Sequence, residues 1–296
     1  MTGQPRTARI RPSGDGRRKE NTVKLGFSTL GCPDWSEAEI AEFAAKYGFD
    51  GVELRCHTDG NHISPEATDL EIDDTKETFA AAGASVFSIA GYARFTSADA
   101  EERTSNVVEA KKDIDVASRL GAQFVRFFGG RIGERVSMDD AIAYGGECLA
   151  ELGDYAEGTG VRVAMETHDD FCAAADLVRM LDAAGSDNVC ACWDLHHPLN
   201  IGNEPLAKTA SLLKDRTGYC HVKDAFTDTV GEGKRNIVLL GAGDMPLVKI
   251  LRQLQEDGFD GFLSFEWEKK WHQEIPEPEI AIPHYAWKIR ELLREI

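Results

Sequence analysis

The sequence lacks an apolar run long enough to cross a membrane, because no stretch approaches the ~20 residues that a spanning helix needs. It is also poor in positive charge: 33 Lys and Arg stand against 51 Asp and Glu, for a formal net charge of -18. Phosphate backbones are bound by clustered Lys and Arg, so this balance argues against a nucleic-acid or anionic-membrane partner. A sugar-like substrate is compatible with it, since one bound cation can reverse the sign of the field locally.

The cysteines form no CxxC pair, and their number, seven, is odd. Several lie within apolar, strand-like runs. This usage favours buried thiols in a reducing compartment over a disulfide framework. The pair Arg17 and Arg18 is not followed by the apolar segment of an export signal. We therefore expect a cytoplasmic protein.

Residues 1–22 differ from the rest of the chain. They are basic, contain Gly and Pro, and have almost no apolar side chains, which predicts a disordered N-terminal tail. From Val23 onward no linker-like segment interrupts the pattern. We expect residues 23–296 to form one domain.

An apolar strand-like run followed by a helix-like segment recurs about every 30 residues from Val23 onward. Strands alternating with helices pair in parallel through right-handed crossovers. Eight strands in a chain of this length predict an α/β fold, a (β/α)8 TIM barrel. The alternative, a doubly wound open sheet, usually carries a Gly-rich fingerprint after its first strand, whereas here that turn reads "STLGCPDW". The predicted strands are 24–29, 51–55, 85–91, 124–130, 162–168, 189–197, 219–225 and 261–268.

Two helices carry clear boundary signals. Ser36 and Glu39 form a capping-box pattern at the start of "SEAEIAEFAAKYG", and Gly48 marks its end. In "DMPLVKILRQLQEDG", Asp244 is the predicted cap and Gly258 the predicted end.

Ionisable side chains collect at the ends of the last four predicted strands, where TIM barrels place their active sites. An isolated Glu or His there would be interpreted as a salt-bridge partner or a core histidine. Ionisable side chains at the ends of four successive strands instead favour a metal site, because buried charges must be paired or hold a metal. Three carboxylates and one imidazole suit Mn²⁺, Co²⁺ or Mg²⁺, whereas a structural zinc site would recruit thiolates. The residues that share a strand face are Glu166 with His168, Asp194 with His196, His221 with Lys223, and Glu266 with Glu268.

Two further strands carry inward-facing charge. Glu53 and Arg55 share a face on the second strand and are interpreted as pairing with each other near the pocket. For Arg126 on the fourth strand, the two interpretations are that it holds a substrate oxygen or that it balances the many carboxylates, and we favour the second.

The Glu, Asp, His and Glu at the ends of strands five to eight, with the His in an H-x-K-D run, resemble the xylose isomerase-like superfamily. The sugar phosphate isomerase/epimerase group is the most similar, from about Val23 to the C-terminus. The resemblance implies a TIM barrel with one divalent metal, and in epimerase-like members a substrate-contacting His three residues after the strand-six Asp. Strand parity alone favours His196 for that position, whereas the resemblance implies His197. The implied metal ligands are Glu166, Asp194, His221 and Glu266.

This chain departs from the ketose 3-epimerases at two positions. Thr227 stands where they carry a substrate-binding Arg, and Cys172 stands where they carry a Glu. The resemblance therefore identifies the superfamily better than the substrate.

The expected function is a metal-dependent isomerase or epimerase of a sugar or keto-sugar, acting by proton transfer through a metal-stabilised enediolate. Glu166 and Glu266 would exchange roles as base and acid. Mn²⁺ is the favoured metal, with Co²⁺, Mg²⁺ or Zn²⁺ as alternatives. The expected binding partner is a small sugar or polyol, and formation of a homo-oligomer is compatible with the sequence. The alternatives are a lyase or dehydratase of an inosose or keto-sugar using the same site, and a non-catalytic barrel. The expected substrate-binding residues are His197, His168, Lys223 and Glu268.

Overall fold

The computed structural model describes residues 23–59, 62–226 and 236–296. The predicted tail, residues 1–22, and the departure at Thr227 lie outside these ranges. In the described residues the strands are Lys24–Ser28 (β1), Gly51–Arg55 (β2), Val86–Ala90 (β3), Phe124–Phe128 (β4), Arg162–Glu166 (β5), Val189–Asp194 (β6), Thr217–Val222 (β7), Asp224–Ala225 (β8), Ile237–Val238 (β9) and Phe262–Phe265 (β10).

Eight of these strands close into a parallel barrel in the order β1-β10-β7-β6-β5-β4-β3-β2, and β8 pairs with β9 in a separate antiparallel ribbon. The predicted TIM barrel is confirmed. The helices of the described residues surround it: Glu37–Tyr47 (α1), Asp69–Ala81 (α2), Ala100–Leu120 (α3), Met138–Tyr155 (α4), Ala174–Ala184 (α5), His197–Asn200 (α6), Leu206–Leu213 (α7), Leu247–Glu256 (α8) and Pro278–Arg294 (α9).

The strands that carry the chemistry are shorter than predicted. The sixth strand was expected to reach residue 197 but ends at Asp194. The Asp194 carboxylate accepts the N–H groups of His196 (2.8 Å) and His197 (2.9 Å), which turns the chain into α6. Pro198 follows at the start of that helix and has no N–H to donate to a strand ladder. The eighth barrel strand likewise ends at Phe265, before the glutamates that the prediction placed on it.

The helix signals succeed at α1, whereas at α8 the start signal fails and the end signal, Gly258, lies two residues after the last helical residue at φ 78°. At α1, Ser36 and Glu39 form the predicted capping box, and Gly48 closes the helix at φ 67°. Asp244 is not the cap of α8, because Pro246 occupies that position. The Asp244 N–H instead donates to the Ala225 carbonyl at 3.2 Å, which ties this loop to β8.

The barrel interior is apolar at one end and ionisable at the other. A buried cluster fills the apolar end and is separate from the core between strands and helices; it comprises Phe87, Phe124, Ala164, Cys190, Cys192, Tyr219 and Phe262. Outside the barrel, Phe265 stacks on Tyr285 of α9 with ring centroids 4.5 Å apart. The apolar end gives the ionisable residues a closed floor, so they face one opening.

The seven cysteines are unpaired; six are buried and Cys172 is half-buried. Among the residues described, no helix combines the length and apolar character needed to cross a membrane.

Candidate active site

A cavity of about 400 Å³ opens at the carboxyl ends of the barrel strands. Glu166, Glu266 and Glu268 line it together with the aromatic residues Tyr92 and Phe128. Of the ionisable residues that the sequence places at the strand ends, Glu166, His168, Glu266 and Glu268 therefore reach one common space.

A second cavity, of about 330 Å³, is lined by leucines, among them Leu25 and Leu254, together with Asp50 and Arg290. Both charged groups are used structurally there. Asp50 accepts the N–H of Leu25 at 2.8 Å, and Arg290 donates to the Ala286 carbonyl. We therefore place the candidate site in the first cavity.

Four buried side chains from four successive barrel strands converge beside the first cavity. Glu166 ends β5, Asp194 ends β6, His221 lies in β7 beside Asp194, and Glu266 directly follows β10. Each offers one nitrogen or oxygen, and these four atoms all lie within 4.8 Å of one another. The four residues that the resemblance implies as metal ligands are thus brought together.

His221 is held from both sides of its ring. Nδ1 lies 3.1 Å from Glu166 Oε1 and 3.3 Å from Glu266 Oε1, while Nε2 lies 2.9 Å from Glu53 Oε2. Burial lowers the pKa of His221, but the surrounding negative groups, including Glu266, Glu53 and Glu166, raise it well above its ordinary value. The surrounding negative groups therefore favour the protonated form of this imidazole.

Glu53 lies deep in the barrel and does not pair with Arg55, so that interpretation is wrong. Arg55 forms a two-pronged ion pair with Asp59, at 2.6 and 2.8 Å. Glu53 is completely buried and accepts hydrogen bonds from the Tyr219 hydroxyl and His221. Burial raises its pKa, but His221, Arg126 and the Tyr219 hydroxyl together lower it below the usual range. Glu53 is therefore a charged second contact of His221.

Lys223 is buried among three carboxylates. Its Nζ lies 2.9 Å from Asp194 Oδ2, 2.5 Å from Glu266 Oε2 and 2.7 Å from Glu268 Oε1. Asp224, its sequence neighbour, turns instead to the backbone of the following loop. Glu268 thus stands beside the four converging residues and contacts them through Lys223.

Arg126 lies on β4, the neighbour of β5, and contacts both Glu166 and Glu266. Nε lies 3.3 Å from Glu166 Oε2, and Nη2 lies 3.7 Å from Glu266 Oε1. Burial opposes its charge, but the carboxylates, with Glu166 the strongest, raise the pKa of Arg126 above its ordinary value. This placement fits the interpretation of Arg126 as a charge-balancing residue.

His168 and His197 occupy different depths beside the cavity. His168 lines the cavity, with Nδ1 3.1 Å from Asp169 Oδ2. His197 is completely buried, with its ring 4.9 Å from that of His168 and its Nδ1 2.8 Å from the Thr167 carbonyl. His168, rather than His197, reaches the cavity here, so His197 lies one layer behind a substrate in this space.

The donor set fits a divalent cation. Glu166 Oε2 and Asp194 Oδ2 are buried, and each contacts one cationic side chain, Arg126 at 3.3 Å and Lys223 at 2.9 Å. A carboxylate oxygen can accept more than one such contact, which leaves acceptor capacity that a cation can use. Five clustered carboxylates face two basic side chains, Arg126 and Lys223, and one imidazole, His221, so the acidic groups outnumber the groups that can balance them. Carboxylate oxygens with one imidazole suit hard to borderline divalent ions. The carboxylates are Glu53, Glu166, Asp194, Glu266 and Glu268.

Sequence reasoning did not find the contact between Glu53 and His221. The two residues are 168 positions apart, so no local pattern links them. The available signal was that Glu53 sits on the inward face of a central strand, where a carboxylate needs a partner.

The chain is similar to several known proteins. A family model described as "Xylose isomerase-like TIM barrel" matches residues 41–287. Fructoselysine 3-epimerase of Shigella flexneri is 23% identical over 92% of this chain and 99% of that protein. Inosose isomerase of Bacillus velezensis is 24% identical over 76% of this chain and 81% of that protein.

A solved structure of the IOLI protein with a bound zinc atom has the same fold. It superposes with a TM-score of 0.77 at 19% identity, covering 92% of this chain and 99% of that one.

Proposed function

Because this chain belongs to the xylose isomerase-like TIM barrel family, we propose that it is a divalent-metal-dependent isomerase or epimerase of a sugar or keto-sugar. The observation that carries the proposal is the convergence of Glu166, Asp194, His221 and Glu266 within 4.8 Å, beside a cavity large enough for one sugar. The relatives named as an epimerase and an isomerase support this substrate class.

The ligands we propose are Glu166, Asp194, His221 and Glu266. A bound divalent cation would stabilise the negative charge that develops on a substrate oxygen when the neighbouring carbon loses its proton. Mn²⁺ is the metal we favour, with Co²⁺, Mg²⁺ and Zn²⁺ to be compared.

Glu166 and Glu266 are the proposed proton carriers. Both line the cavity, and their Oε1 atoms lie 3.1 and 3.3 Å from His221 Nδ1. One carboxylate would remove the proton next to the substrate carbonyl, and the other would return a proton. Return to the opposite face of the same carbon is epimerisation, and return to the adjacent carbon is isomerisation.

The remaining residues would orient the substrate. His168 and Glu268 reach the cavity and can bond hydroxyl groups. Lys223 would hold Glu266 and Glu268 in place, and His197 would support the strand-five end through the Thr167 carbonyl.

The test is a screen of keto-sugars, inososes and 3-keto-glycosides with Mn²⁺, in which NMR identifies the products. We expect an epimer or isomer that forms only with metal. Glu166→Gln and Glu266→Gln should each lower kcat by about 100-fold or more, in line with the loss of an acid or base. Glu256→Gln changes an exposed glutamate on α8 and is the matched control.

Full activity after removal of metal with EDTA would overturn the metal-dependent mechanism. An elimination product with a growing ultraviolet absorbance would instead identify a lyase that uses the same site. Failure to bind metal or convert any substrate would favour a non-catalytic barrel.

A further inference from the structure

A groove of about 530 Å³ adjoins the active-site cavity and contains several arginines. Arg94 lines both spaces. Arg94 follows β3, and Arg131 and Arg135 follow β4, so all three lie at the catalytic end of the barrel. A substrate in the cavity can therefore extend toward them.

The Arg94 side chain has a defined position. Its guanidinium lies over the Phe128 ring, 5.1 Å from the centroid, and its stem crosses Gly130. A Cβ on Gly130 would lie 2.8 Å from Arg94 Cδ, and this glycine has φ +76°. Because Gly130 has no side chain, Arg94 has room beside Arg131, the residue that follows Gly130.

The loops that carry these arginines are tied together. The Thr96 hydroxyl donates to the Gly129 carbonyl at 2.8 Å, and the Ile132 N–H donates to Asp170 Oδ2 at 2.7 Å. These bonds hold the segment after β3, the segment after β4 and the segment after β5 against one another.

Arg94 and Arg131 make no ion pair with any carboxylate in the described ranges, although acids greatly outnumber bases in this chain. Asp169, a near acid, faces His168 at 3.1 Å. Burial raises the pKa of Asp169, but His168 first and then Arg94 and Arg131 lower it below its usual value. Ion pairs hold other arginines of the described chain, at Arg55, Arg119, Arg126, Arg179 and Arg216.

Acids also line the groove, and two of them are already used. Asp99 caps α3 by accepting the N–H of Glu101 at 2.8 Å, and Glu102 accepts the Ser97 hydroxyl at 2.6 Å. Glu134 is exposed. The guanidinium groups of Arg94 and Arg131 therefore lie next to the cavity without a direct ion pair to a described carboxylate.

We infer that Arg94 and Arg131 bind an anionic group, a carboxylate or a phosphate, at the end of the substrate away from the reacting carbon. The planar guanidinium fork matches both groups. Arg126, which contacts the proposed proton carriers, lies 5.4 Å from the centre of the same Phe128 ring, so at most 10.5 Å separates its guanidinium carbon from that of Arg94. A single sugar unit with a charged terminus can bridge that distance. The proposal that the substrate is anionic rests on the proposed function. The proposal that Arg94 and Arg131 bind an anion does not.

Binding of an anion is tested first, without any reaction. Inorganic phosphate is titrated calorimetrically into the EDTA-treated full chain and into the variants Arg94→Ala, Arg131→Ala and Arg252→Ala. Arg252 is an exposed arginine on α8 and serves as the matched control. We expect about 10- to 100-fold weaker binding in the first two variants and unchanged binding in the third. Equal binding in all three variants would overturn the site.

The substrate class is tested with D-fructose, D-fructuronate and D-fructose 6-phosphate, which share one carbon chain and differ in the terminal group. We expect kcat/KM to be highest for one of the two charged sugars. The identity of that sugar shows whether the site prefers a carboxylate or a phosphate. Arg94→Ala should lower kcat/KM for that sugar about 10- to 100-fold more than for D-fructose, and Arg94→Lys should recover part of the loss.

The outcomes separate the two proposals. Conversion of D-fructose at least as well as of both charged sugars would overturn the anionic substrate while the proposed function stands. If no sugar is converted but phosphate binding depends on Arg94 and Arg131, the anion site stands and the proposed function fails for these substrates.

Discussion

Glu53 reaches His221 from the floor of the barrel, opposite the glutamates that face Nδ1. Its Oε2 lies 2.9 Å from His221 Nε2, and its Oε1 accepts the Tyr219 hydroxyl. A carboxylate behind a histidine fixes the ring orientation and leaves the other nitrogen free for a metal. Glu53 is therefore a positioning residue, which acts through His221.

Replacement of Glu53 should weaken metal binding without removing a ligand. Glu53→Gln keeps an acceptor for His221 but loses the charge, so we expect about 10-fold weaker affinity; Glu53→Ala loses both and should approach 100-fold. A competition titration against a chelating indicator measures this directly.

Tyr219→Phe is the control, since it removes one hydrogen bond to Glu53 and leaves the contact with His221 intact. Wild-type metal affinity in Glu53→Ala would contradict the positioning role, whatever that variant does to stability.

Asp224 shows how the end of a strand fixes the loop that follows. Its carboxylate accepts the backbone N–H groups of Gly241 (2.7 Å), Gly243 (3.0 Å), Ala225 (2.9 Å) and Met245 (3.3 Å). The Asp of the H-x-K-D run is therefore a structural anchor, while the His and Lys of the same run belong to the candidate site.

Asp224→Asn should destabilise the fold, because an amide NH₂ replaces an acceptor that faces backbone donors. We expect the free energy of unfolding to fall by about 1–3 kcal/mol, measured by urea titration in EDTA. Asp215→Asn, at an exposed position before β7, is the matched control. A loss no larger than that of the control would show that these bonds do not stabilise the loop.

The alternation of strands and helices is a local property, so the barrel and the α1 capping box could be predicted from the sequence. The strand ends could not. Asp194 stops β6 by accepting two N–H groups of its own chain, and that contact overrides the strand parity on which His196 and His197 were judged. The partners of Glu53 and Arg126 depend on barrel closure, which brings together residues far apart in sequence.

The whole chain is acidic, and a cluster of carboxylates is buried at the carboxyl ends of the barrel strands. A net charge of -18 attracts cations generally, so weak metal binding at the surface is expected alongside any specific site. The buried cluster differs from the surface because its excess negative charge is shielded from solvent. Electrostatic interactions are stronger in the protein interior than in water. Specific binding should therefore appear as stabilisation of the folded state.

We expect a divalent metal at about 100 times its dissociation constant to raise the free energy of unfolding by about 2.7 kcal/mol, because it binds the folded chain and not the unfolded one. Chemical unfolding with Mn²⁺, Co²⁺, Mg²⁺ or Zn²⁺, against EDTA, measures the gain and ranks the metals. Asp194→Asn removes a buried charge of the cluster and should lose most of the gain, whereas Glu256→Gln should keep it. An equal gain in both variants would mean that the metal stabilises through the acidic surface, and the buried cluster would then not be the site.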